Sequence, residues 1–186
     1  MQLHQAIFKI KNALSEKWCR DLVQYIETNC KEKAKVLIDG KDVEDTKQRN
    51  VYSYGLNSQN AKDDLYIKVL VDVMQKALLE YTKTFNYLRQ ANIQDINLLK
   101  YETGNFYNTH IDAFHTVNRQ LSFIINLNNN YEGGELVFYK PIEKTAYSKV
   151  SLQQGDLMLF PSNFLYPHRI LPITKGVRYS MVSWFA

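Results

Sequence analysis

The stretch that decides the fold is Phe106-Tyr107-Asn108-Thr109-His110-Ile111-Asp112, which is rich in aromatic and β-branched residues. Such residues favour a strand, in which successive side chains point to opposite faces. We therefore expect His110 and Asp112, two positions apart, to share one face of a strand. A second strand-like run, Tyr166-Pro167-His168-Arg169-Ile170, adds a histidine 58 residues after the first. The two runs together predict two imidazoles and one carboxylate at one place in the fold.

This set of side chains is typical of a metal site. Two histidines and one carboxylate form the facial triad with which non-haem Fe(II) oxygenases hold iron. The triad fills three of six positions on one side of the metal and leaves three adjacent positions for a co-substrate and dioxygen. Imidazole and carboxylate lack the soft-thiolate preference of zinc and iron–sulfur sites. The sequence therefore predicts an Fe(II) site formed by His110, Asp112 and His168.

Further short motifs surround these residues in about the last 90 positions of the chain. They are Tyr101-Glu102-Thr103-Gly104, Arg119-Gln120-Leu121-Ser122, Tyr131-Glu132-Gly133-Gly134-Glu135-Leu136, Gly155-Asp156-Leu157-Met158-Leu159-Phe160-Pro161-Ser162, and Arg178 ten residues after His168. With the triad, this series resembles the 2-oxoglutarate-dependent oxygenases, in particular the prolyl 4-hydroxylase-like branch that includes the PKHD-type hydroxylases. The resemblance implies Fe(II), 2-oxoglutarate and O2 as cofactors, and it leaves open whether ascorbate serves as a reductant.

The resemblance also implies a 2-oxoglutarate pocket. Arg178 matches the basic residue that pairs with the distal carboxylate of 2-oxoglutarate, a group that a guanidinium binds through two parallel hydrogen bonds. Tyr101 matches a tyrosine that donates a hydrogen bond to the same carboxylate, and Trp184 matches an aromatic wall of the pocket. Three more candidates alternate along one predicted strand and would share a face: Ser122, Ile124 and Asn126. Relatives often carry tyrosine in place of Asn126, so its contact with 2-oxoglutarate stays open.

Four residues are candidates for the substrate side of the site. Arg119 matches an arginine that contacts the substrate in some relatives. Arg49, Tyr52 and Tyr54 end a polar stretch, and in relatives a mobile loop between the helical part and the barrel closes over the substrate. A solvated surface loop explains the same composition equally well, so whether residues 40–60 form a closing lid stays open.

Hydrophobic periodicity predicts helices in the first half of the chain. Ser15 can cap a first helix. A second, longer helix is indicated by apolar residues at spacings of three and four, which form one stripe. The members of this stripe are Leu65, Val69, Leu70, Val73, Met74, Ala77, Leu78, Tyr81 and Phe85. Such a helix needs a sheet to pack against, and we expect the second half of the chain to supply it.

From Ile96 onward the pattern changes to short strand-like runs separated by turn residues. These runs are Leu98–Tyr101, Phe106–Asp112, Gln120–Leu127, Glu135–Tyr139, Lys149–Leu152, Asp156–Phe160, His168–Leu171 and Arg178–Phe185. They predict an α+β, mainly β fold, a double-stranded β-helix (jelly roll, cupin-like) barrel braced by N-terminal helices. We expect a single domain over residues 1–186, with residues 1–95 as helical support with short strands and residues 96–186 as the jelly-roll core that carries the site.

Composition and charge bear on partners and compartment. The net charge of +4 on 186 residues is mild and contains no run of like charges, so it does not argue for nucleic acid. Cys19 and Cys30 fall in the first predicted helix, roughly 16 Å apart, which is too far for a disulfide. Free thiols, the lack of a signal-peptide pattern and the lack of a long apolar segment favour a soluble protein of the cytoplasm, away from membranes.

Together these features predict a dioxygenase that hydroxylates an unactivated C–H bond and releases succinate and CO2. Peptidyl proline is the leading substrate by resemblance, which implies a peptide or protein partner. A lysyl side chain, a free amino acid or a nucleic acid is the alternative substrate. Asp112 favours hydroxylation because related halogenases lack this carboxylate, and Trp184 replaces a second arginine of nucleic-acid demethylases. A non-catalytic jelly-roll module that binds metal or 2-oxoglutarate also stays open, as does the oligomeric state.

Overall fold

The computed structural model of the chain describes residues 2–38, 41–86, 92–113 and 118–186. A short 3-10 helix spans Leu3–Ala6, and the α-helices are α1 (Glu16–Asn29) and α2 (Ala61–Thr82). The strands are β1 (Phe8–Ile10), β2 (Glu32–Lys33), β3 (Val36–Ile38), β4 (Lys41–Val43), β5 (Arg49–Asn50), β6 (Tyr52–Gly55), β7 (Ile93–Tyr101), β8 (Phe106–His110), β9 (Leu121–Asn126), β10 (Tyr131–Gly133), β11 (Leu136–Tyr139), β12 (Ala146–Val150), β13 (Leu157–Pro161), β14 (His168–Ile170), β15 (Ile173–Gly176) and β16 (Arg178–Phe185). Neither α-helix in this part of the chain is both long and apolar enough to cross a membrane.

The strands form two main antiparallel sheets. The larger has the order β1-β13-β9-β16-β7-β6-β2, and the smaller has the order β12-β11-β14-β8-β5. Side chains from both sheets meet in one buried cluster, so the sheets pack face to face. Two-stranded pairs, β10 with β15 and β3 with β4, lie beside them. This arrangement confirms the predicted mainly β jelly roll.

The inner strand β9 of the larger sheet shows why the helices lie where they do. All six of its residues are buried, although a strand exposed on one face would alternate. Phe123 and Ile125 belong to the core shared with the helices, whereas Ile124 belongs to the core between the sheets. Period two therefore gives the larger sheet two apolar faces, one for the helices and one for the barrel interior.

Helix α2 lies against the outer face of the larger sheet, as the sequence indicates, but with a different stripe. Its buried side chains are Asp63, Tyr66, Leu70, Met74, Ala77 and Tyr81. Leu65, predicted for the stripe, is 49% exposed, because the buried face runs along Tyr66, Leu70 and Met74 at spacings of four. Phe85 lies beyond the helix, which ends at Thr82, and packs against the core from there.

The predicted strands are found with shifted ends, and several strands were missed. Strand β12 lies at Ala146–Val150 instead of the predicted Lys149–Leu152, and β7 begins at Ile93 instead of the predicted Leu98. The strand predicted over Phe106–Asp112 ends at His110. The strands β10 and β15 and most strands before residue 60 were not predicted, because each has only two to four residues. Apart from the neighbours β3 and β4, which pair with each other, these strands also depend on partners distant in sequence.

Candidate metal centre

The two histidines of the triad are brought together by one strand pair. His110 ends β8, His168 begins β14, and the antiparallel register places the two residues directly opposite each other. Their ring centroids are 4.3 Å apart. Asp112 completes the group, and the ligand atoms of all three residues lie within 4.8 Å of one another. Donors bound to one ion at about 2.1 Å lie about 3 to 4 Å apart, and the distances from the two histidines to the Asp112 carboxylate, 3.5 and 3.7 Å, fall in this range.

Asp112 is not positioned by a strand, contrary to the sequence-based expectation. It lies in a bend two residues after β8 ends, where the alternation of strand side chains no longer applies. Hydrogen bonds hold it instead. Its backbone N–H donates to the carbonyl of Ser162 at 3.2 Å, and the guanidinium of Arg119 donates to its carbonyl at 3.3 Å. The hydroxyl of Ser122 donates to its carboxylate Oδ2 at 2.6 Å.

Backbone carbonyls orient both imidazoles for metal binding. Nδ1 of His110 is 2.8 Å from the carbonyl of Asn108, and Nδ1 of His168 is 3.0 Å from the carbonyl of Tyr166. A carbonyl only accepts, so each Nδ1 carries a proton, and Nε2 is the ring nitrogen left to bind a metal. The Nε2 atoms face the Asp112 carboxylate, at 3.5 Å from Oδ1 for His110 and 3.7 Å from Oδ2 for His168. Metal-bound histidines commonly have this arrangement.

The protonation states also suit a metal. Burial acts to raise the pKa of Asp112, but the neighbouring histidines and the Ser122 hydrogen bond outweigh it and hold this pKa well below its usual range. Burial, together with the neighbouring His110, lowers the pKa of His168 to about 4. At neutral pH the site therefore holds an ionised carboxylate and a neutral imidazole at His168, which are the forms that bind metal. The donor set fits Fe(II), which accepts mixed nitrogen and oxygen ligands.

A cavity of about 680 Å³ opens beside the triad. The triad lines it together with four residues that the sequence assigned to the 2-oxoglutarate pocket: Tyr101, Ile124, Arg178 and Trp184. Ligand pockets commonly have volumes of about 300 to 1,000 Å³. The cavity extends well past the triad to residues of β2 and β3, among them Lys33 and Val36. It is therefore large enough for a small co-substrate and part of a second molecule.

Arg178 contributes a buried positive charge to this cavity. It begins β16 opposite Tyr101 of β7, and its guanidinium carbon is 5.2 Å from the centre of the Tyr101 ring. Arg178 is only 4% exposed, yet no ion pair among the described residues includes it. A buried charge is costly unless it is paired. The position therefore suits an anion that enters the cavity from solution.

Two of the predicted pocket residues are not among those that line the cavity. Ser122 points at the carboxylate of Asp112 instead. The amide of Asn126 donates to the carbonyls of Asn128 and Leu152, and its oxygen accepts the hydroxyl of Tyr131. The Asn126 side chain is thus occupied with neighbouring turns of the chain, which the sequence could not show.

Two of the four substrate-side candidates line the cavity, and two do not. Arg119 and Arg49 line the cavity, and Arg119 lies over the ring of Trp184 at 3.6 Å. Tyr52 and Tyr54, expected near the substrate, belong to the core shared with the helices, and the hydroxyl of Tyr54 donates to the buried Asp63 of α2. Alternation along β6 turns both tyrosines away from the cavity, so neither lines it, and their role at the substrate stays a prediction.

Sequence reasoning missed Tyr107 and Ser162. The Tyr107 ring stacks on the His110 ring with centroids 3.5 Å apart. The guanidinium carbon of Arg49 lies 4.8 Å from the centroid of the Tyr107 ring. An aromatic residue three positions before the first histidine was the available signal for Tyr107. Ser162 ends one of the family motifs, but no local pattern links it to Asp112, which it contacts only through the folded chain. Within residues 40–60 and the loop after Asp112, positions 40 and 114–117 lie outside the described residues.

An antiparallel double-sheet barrel that carries two histidines and a carboxylate beside an open cavity defines a class, the facial-triad metalloproteins of the non-haem iron type. Comparison with known proteins narrows this class. Residues 96–186 match the family model of the 2OG-Fe(II) oxygenase superfamily. The chain belongs to this superfamily. Fe(II), 2-oxoglutarate and O2 are the cofactors that the family and the His-Asp-His triad imply.

Individual relatives support the same assignment. A PKHD-type hydroxylase of Idiomarina loihiensis is 31% identical over 128 residues, which cover 66% of this chain and 54% of that protein. A PKHD-type hydroxylase of Aliarcobacter butzleri is 32% identical over 158 residues, which cover 79% of this chain and 66% of that protein. The chain thus spans between about half and two thirds of the length of these relatives.

Solved structures support the fold. A prolyl hydroxylase from Trichoplax adhaerens, solved with a peptide fragment of hypoxia inducible factor, superposes with a TM-score of 0.77 at 19% identity. The match covers 97% of this chain and 83% of that one. At this level of identity the comparison establishes the shared architecture.

Proposed function

We propose that this chain is an Fe(II)- and 2-oxoglutarate-dependent dioxygenase that hydroxylates an unactivated C–H bond, with peptidyl proline as the substrate. One observation carries the proposal: the buried Arg178, which forms no ion pair with the described residues, opens into the same cavity as the triad. A metal site alone would not require this cation. A co-substrate that chelates the metal at one end and carries a second carboxylate at the other would require both.

The residues divide the work by their chemistry. His110, Asp112 and His168 would hold Fe(II) from one side. Arg178 would bind the distal carboxylate of 2-oxoglutarate with its planar fork, beside the hydroxyl of Tyr101. When bound, Fe(II), 2-oxoglutarate and O2 supply the oxidising chemistry, in which 2-oxoglutarate becomes succinate and CO2 and a C–H bond gains a hydroxyl group.

Charge balance supports this occupancy. One ionised carboxylate and one guanidinium contribute opposite charges from the protein at Asp112 and Arg178. A divalent cation and a dicarboxylate add a second balanced pair, so the filled site is neutral overall. A neutral assembly is much less costly to bury than its separate ions. Ile124 and the indole of Trp184 line the same cavity with apolar surface, which helps to exclude water.

The substrate class rests on similarity and on the shape of the cavity. The curated relatives are PKHD-type hydroxylases, and a prolyl hydroxylase of the same fold was solved with a peptide. In this chain the cavity continues past the triad between Arg119 and the segment Glu32–Val36. A cavity of about 680 Å³ has room for more than a small co-substrate, which supports a peptide or protein partner.

We also propose a cellular compartment and a domain organisation. Cys19 and Cys30 are both buried and free, which fits a reducing compartment such as the cytoplasm. The helices share one core with the larger sheet, which supports treating residues 1–95 as support for the barrel of residues 96–186 within a single domain.

The test is succinate formation by the purified protein under air with Fe(II) and 2-oxoglutarate, with and without a pool of proline-rich peptides. We expect the peptides to stimulate succinate formation, and mass spectrometry to find one added oxygen atom on a proline. Asp112→Ala should abolish both signals. The matched control is Asp72→Ala, which removes an exposed carboxylate on α2 and should leave turnover unchanged. Succinate formation that is equal in wild type and Asp112→Ala would overturn the proposal. Stimulation by lysine-containing peptides alone would overturn the choice of proline.

A further inference from the structure

A pair of buried serine hydroxyls stands behind the carboxylate of Asp112. Ser122 is fully buried on β9, and Ser162 follows β13, the strand that pairs with β9. Their Oγ atoms are 2.8 Å apart, and the Oγ of Ser122 is 2.6 Å from Oδ2 of Asp112. The shorter distance lies in the range of charge-assisted O–H···O⁻ hydrogen bonds.

The chemistry of the acceptor fixes the direction of this chain of hydrogen bonds. An ionised carboxylate only accepts, so the single hydroxyl proton of Ser122 must point to Asp112. Ser122 then has no proton left for Ser162 and accepts from it. The order is Ser162 hydroxyl to Ser122 hydroxyl to Asp112 carboxylate. Hydrogen bonds that run in one direction polarise one another, so Ser162 strengthens the donation by Ser122.

Ser162 also holds the backbone of the metal-binding segment. Its carbonyl accepts the N–H of Asp112 at 3.2 Å and the N–H of Ala113 at 3.0 Å. Asp112 needs such support because it lies beyond the end of β8, where no strand ladder fixes its direction. The two serines thus fix Asp112 from both its main chain and its side chain.

The hydrogen bonds distinguish the two carboxylate oxygens. Oδ2 accepts the Ser122 hydroxyl and lies 3.7 Å from Nε2 of His168. Among the described residues no serine donates to Oδ1, which lies 3.5 Å from Nε2 of His110. We propose that Ser122, supported by Ser162, is a positioning residue that makes Asp112 bind the metal through Oδ1 alone. One-oxygen binding keeps the triad at three coordination positions, so that three remain for the co-substrate and O2. This inference rests on the metal site of the proposed function and extends it.

Metal binding tests the inference without turnover. The probe is Co(II), which takes the same ligand types and has a visible spectrum that depends on coordination number. We expect Ser122→Ala to weaken Co(II) binding by about 10- to 100-fold, the usual effect of losing a hydrogen bond to a metal ligand, and to change the Co(II) spectrum. Ser162→Ala should change both readouts in the same direction but less, because it acts through Ser122.

Two variants control for the loss of a buried hydroxyl. Ser122→Thr keeps the donor and should restore the wild-type Co(II) spectrum. Ser183→Ala removes another fully buried serine whose hydroxyl donates to a backbone carbonyl at 2.7 Å, far from the triad in sequence, and should bind Co(II) as wild type does. If Ser122→Ala keeps the wild-type affinity and spectrum, the inference is wrong while the metal site stands. If the wild-type protein itself binds no Co(II), both the inference and the proposed function fail.

Discussion

Replacing Arg178 with methionine separates a ligand-binding arginine from a structural one. Methionine has a similar length and flexibility but no charge. In the free protein Arg178 is 4% exposed and forms no ion pair with the described residues, so its loss removes no salt bridge there. We therefore expect the free energy of unfolding without ligands to stay the same or to rise, since burying hydrocarbon costs less than burying an unpaired charge.

Binding of 2-oxoglutarate should change in the opposite direction. Two charged hydrogen bonds between a guanidinium and a carboxylate contribute about 1.5 to 3 kcal/mol each. Their loss, about 3 to 6 kcal/mol in total, corresponds to an affinity about 100- to 20,000-fold lower, since 1.4 kcal/mol is a factor of ten. The Arg178→Met variant should therefore combine normal stability with very weak 2-oxoglutarate binding.

The assay is unfolding in denaturant with Mn(II), which prevents turnover, in the presence and absence of 2-oxoglutarate. At a ligand concentration 100 times the Kd, wild type should gain about 2.7 kcal/mol, whereas Arg178→Met should gain less than about 0.5 kcal/mol. Lys175→Met is the matched control, because Lys175 is an exposed cation on β15, and it should gain as much as wild type. The reasoning is refuted if Arg178→Met keeps the full gain, or if it loses more than about 2 kcal/mol without ligand.

Four further substitutions test the packing and the polar contacts that support the fold around the site. Leu70 is a fully buried residue of α2, and Leu70→Ala should lower the free energy of unfolding by about 2 to 5 kcal/mol. Leu79 is 67% exposed, and Leu79→Ala should change this free energy by less than about 0.5 kcal/mol. Urea unfolding measures both. Gly155→Ala should cost at least about 2 kcal/mol in the same assay, because Gly155 has a φ of +80° and an added Cβ would lie 2.3 Å from a backbone carbonyl oxygen. Burial acts to raise the pKa of Asp156, but a lysine and two backbone N–H groups outweigh burial and lower this pKa. Ionised Asp156 therefore stabilises the fold above pH about 3.9, the usual pKa of an aspartate in an unfolded chain. This contribution is lost as the pH falls below that value. Asp156→Asn should therefore reduce stability at pH 7 and flatten its decline below pH 4 in unfolding curves; an unchanged acid decline would contradict this.

The fold was largely predictable because its pattern is local. Short apolar runs separated by turn residues indicated a jelly roll, and helical spacing indicated the bracing helices. The edges of these elements depend on partners far away in the chain. β7 continues back to Ile93 because β16 pairs with it over that whole length, up to Phe185. The exposed position of Leu65 likewise follows from which face of α2 meets the sheet.

The site was predictable in its residue types but not in how the chain positions them. His110 and His168 follow from strand patterns, and the register places them opposite each other. Asp112 instead depends on hydrogen bonds to Ser122 and Ser162, which only the fold brings near. The alternation of side chains predicts which residues of a strand share a face, but it does not apply to Asp112, which lies beyond the end of β8.

The positions of Tyr52 and Tyr54 also depend on parts of the fold that are distant in sequence. Tyr52 and Tyr54 were expected near the substrate because they end a polar stretch. In the structure they lie on the helix side of β6, where Asp63 accepts hydrogen bonds from Tyr54 and from Tyr25 at 3.0 and 2.5 Å. A buried carboxylate on a helix that comes later in the chain holds Tyr54 there, and no local pattern reveals it.

The central claim is that one cavity binds a metal ion and 2-oxoglutarate together. The most direct measurement is anaerobic calorimetric titration of 2-oxoglutarate into wild-type protein and into Asp112→Ala, each with and without Fe(II). The account predicts one equivalent of 2-oxoglutarate bound to wild type only when Fe(II) is present, and no metal-dependent binding to Asp112→Ala. Binding of equal strength with and without Fe(II), or no binding by wild type in the presence of Fe(II), would contradict it.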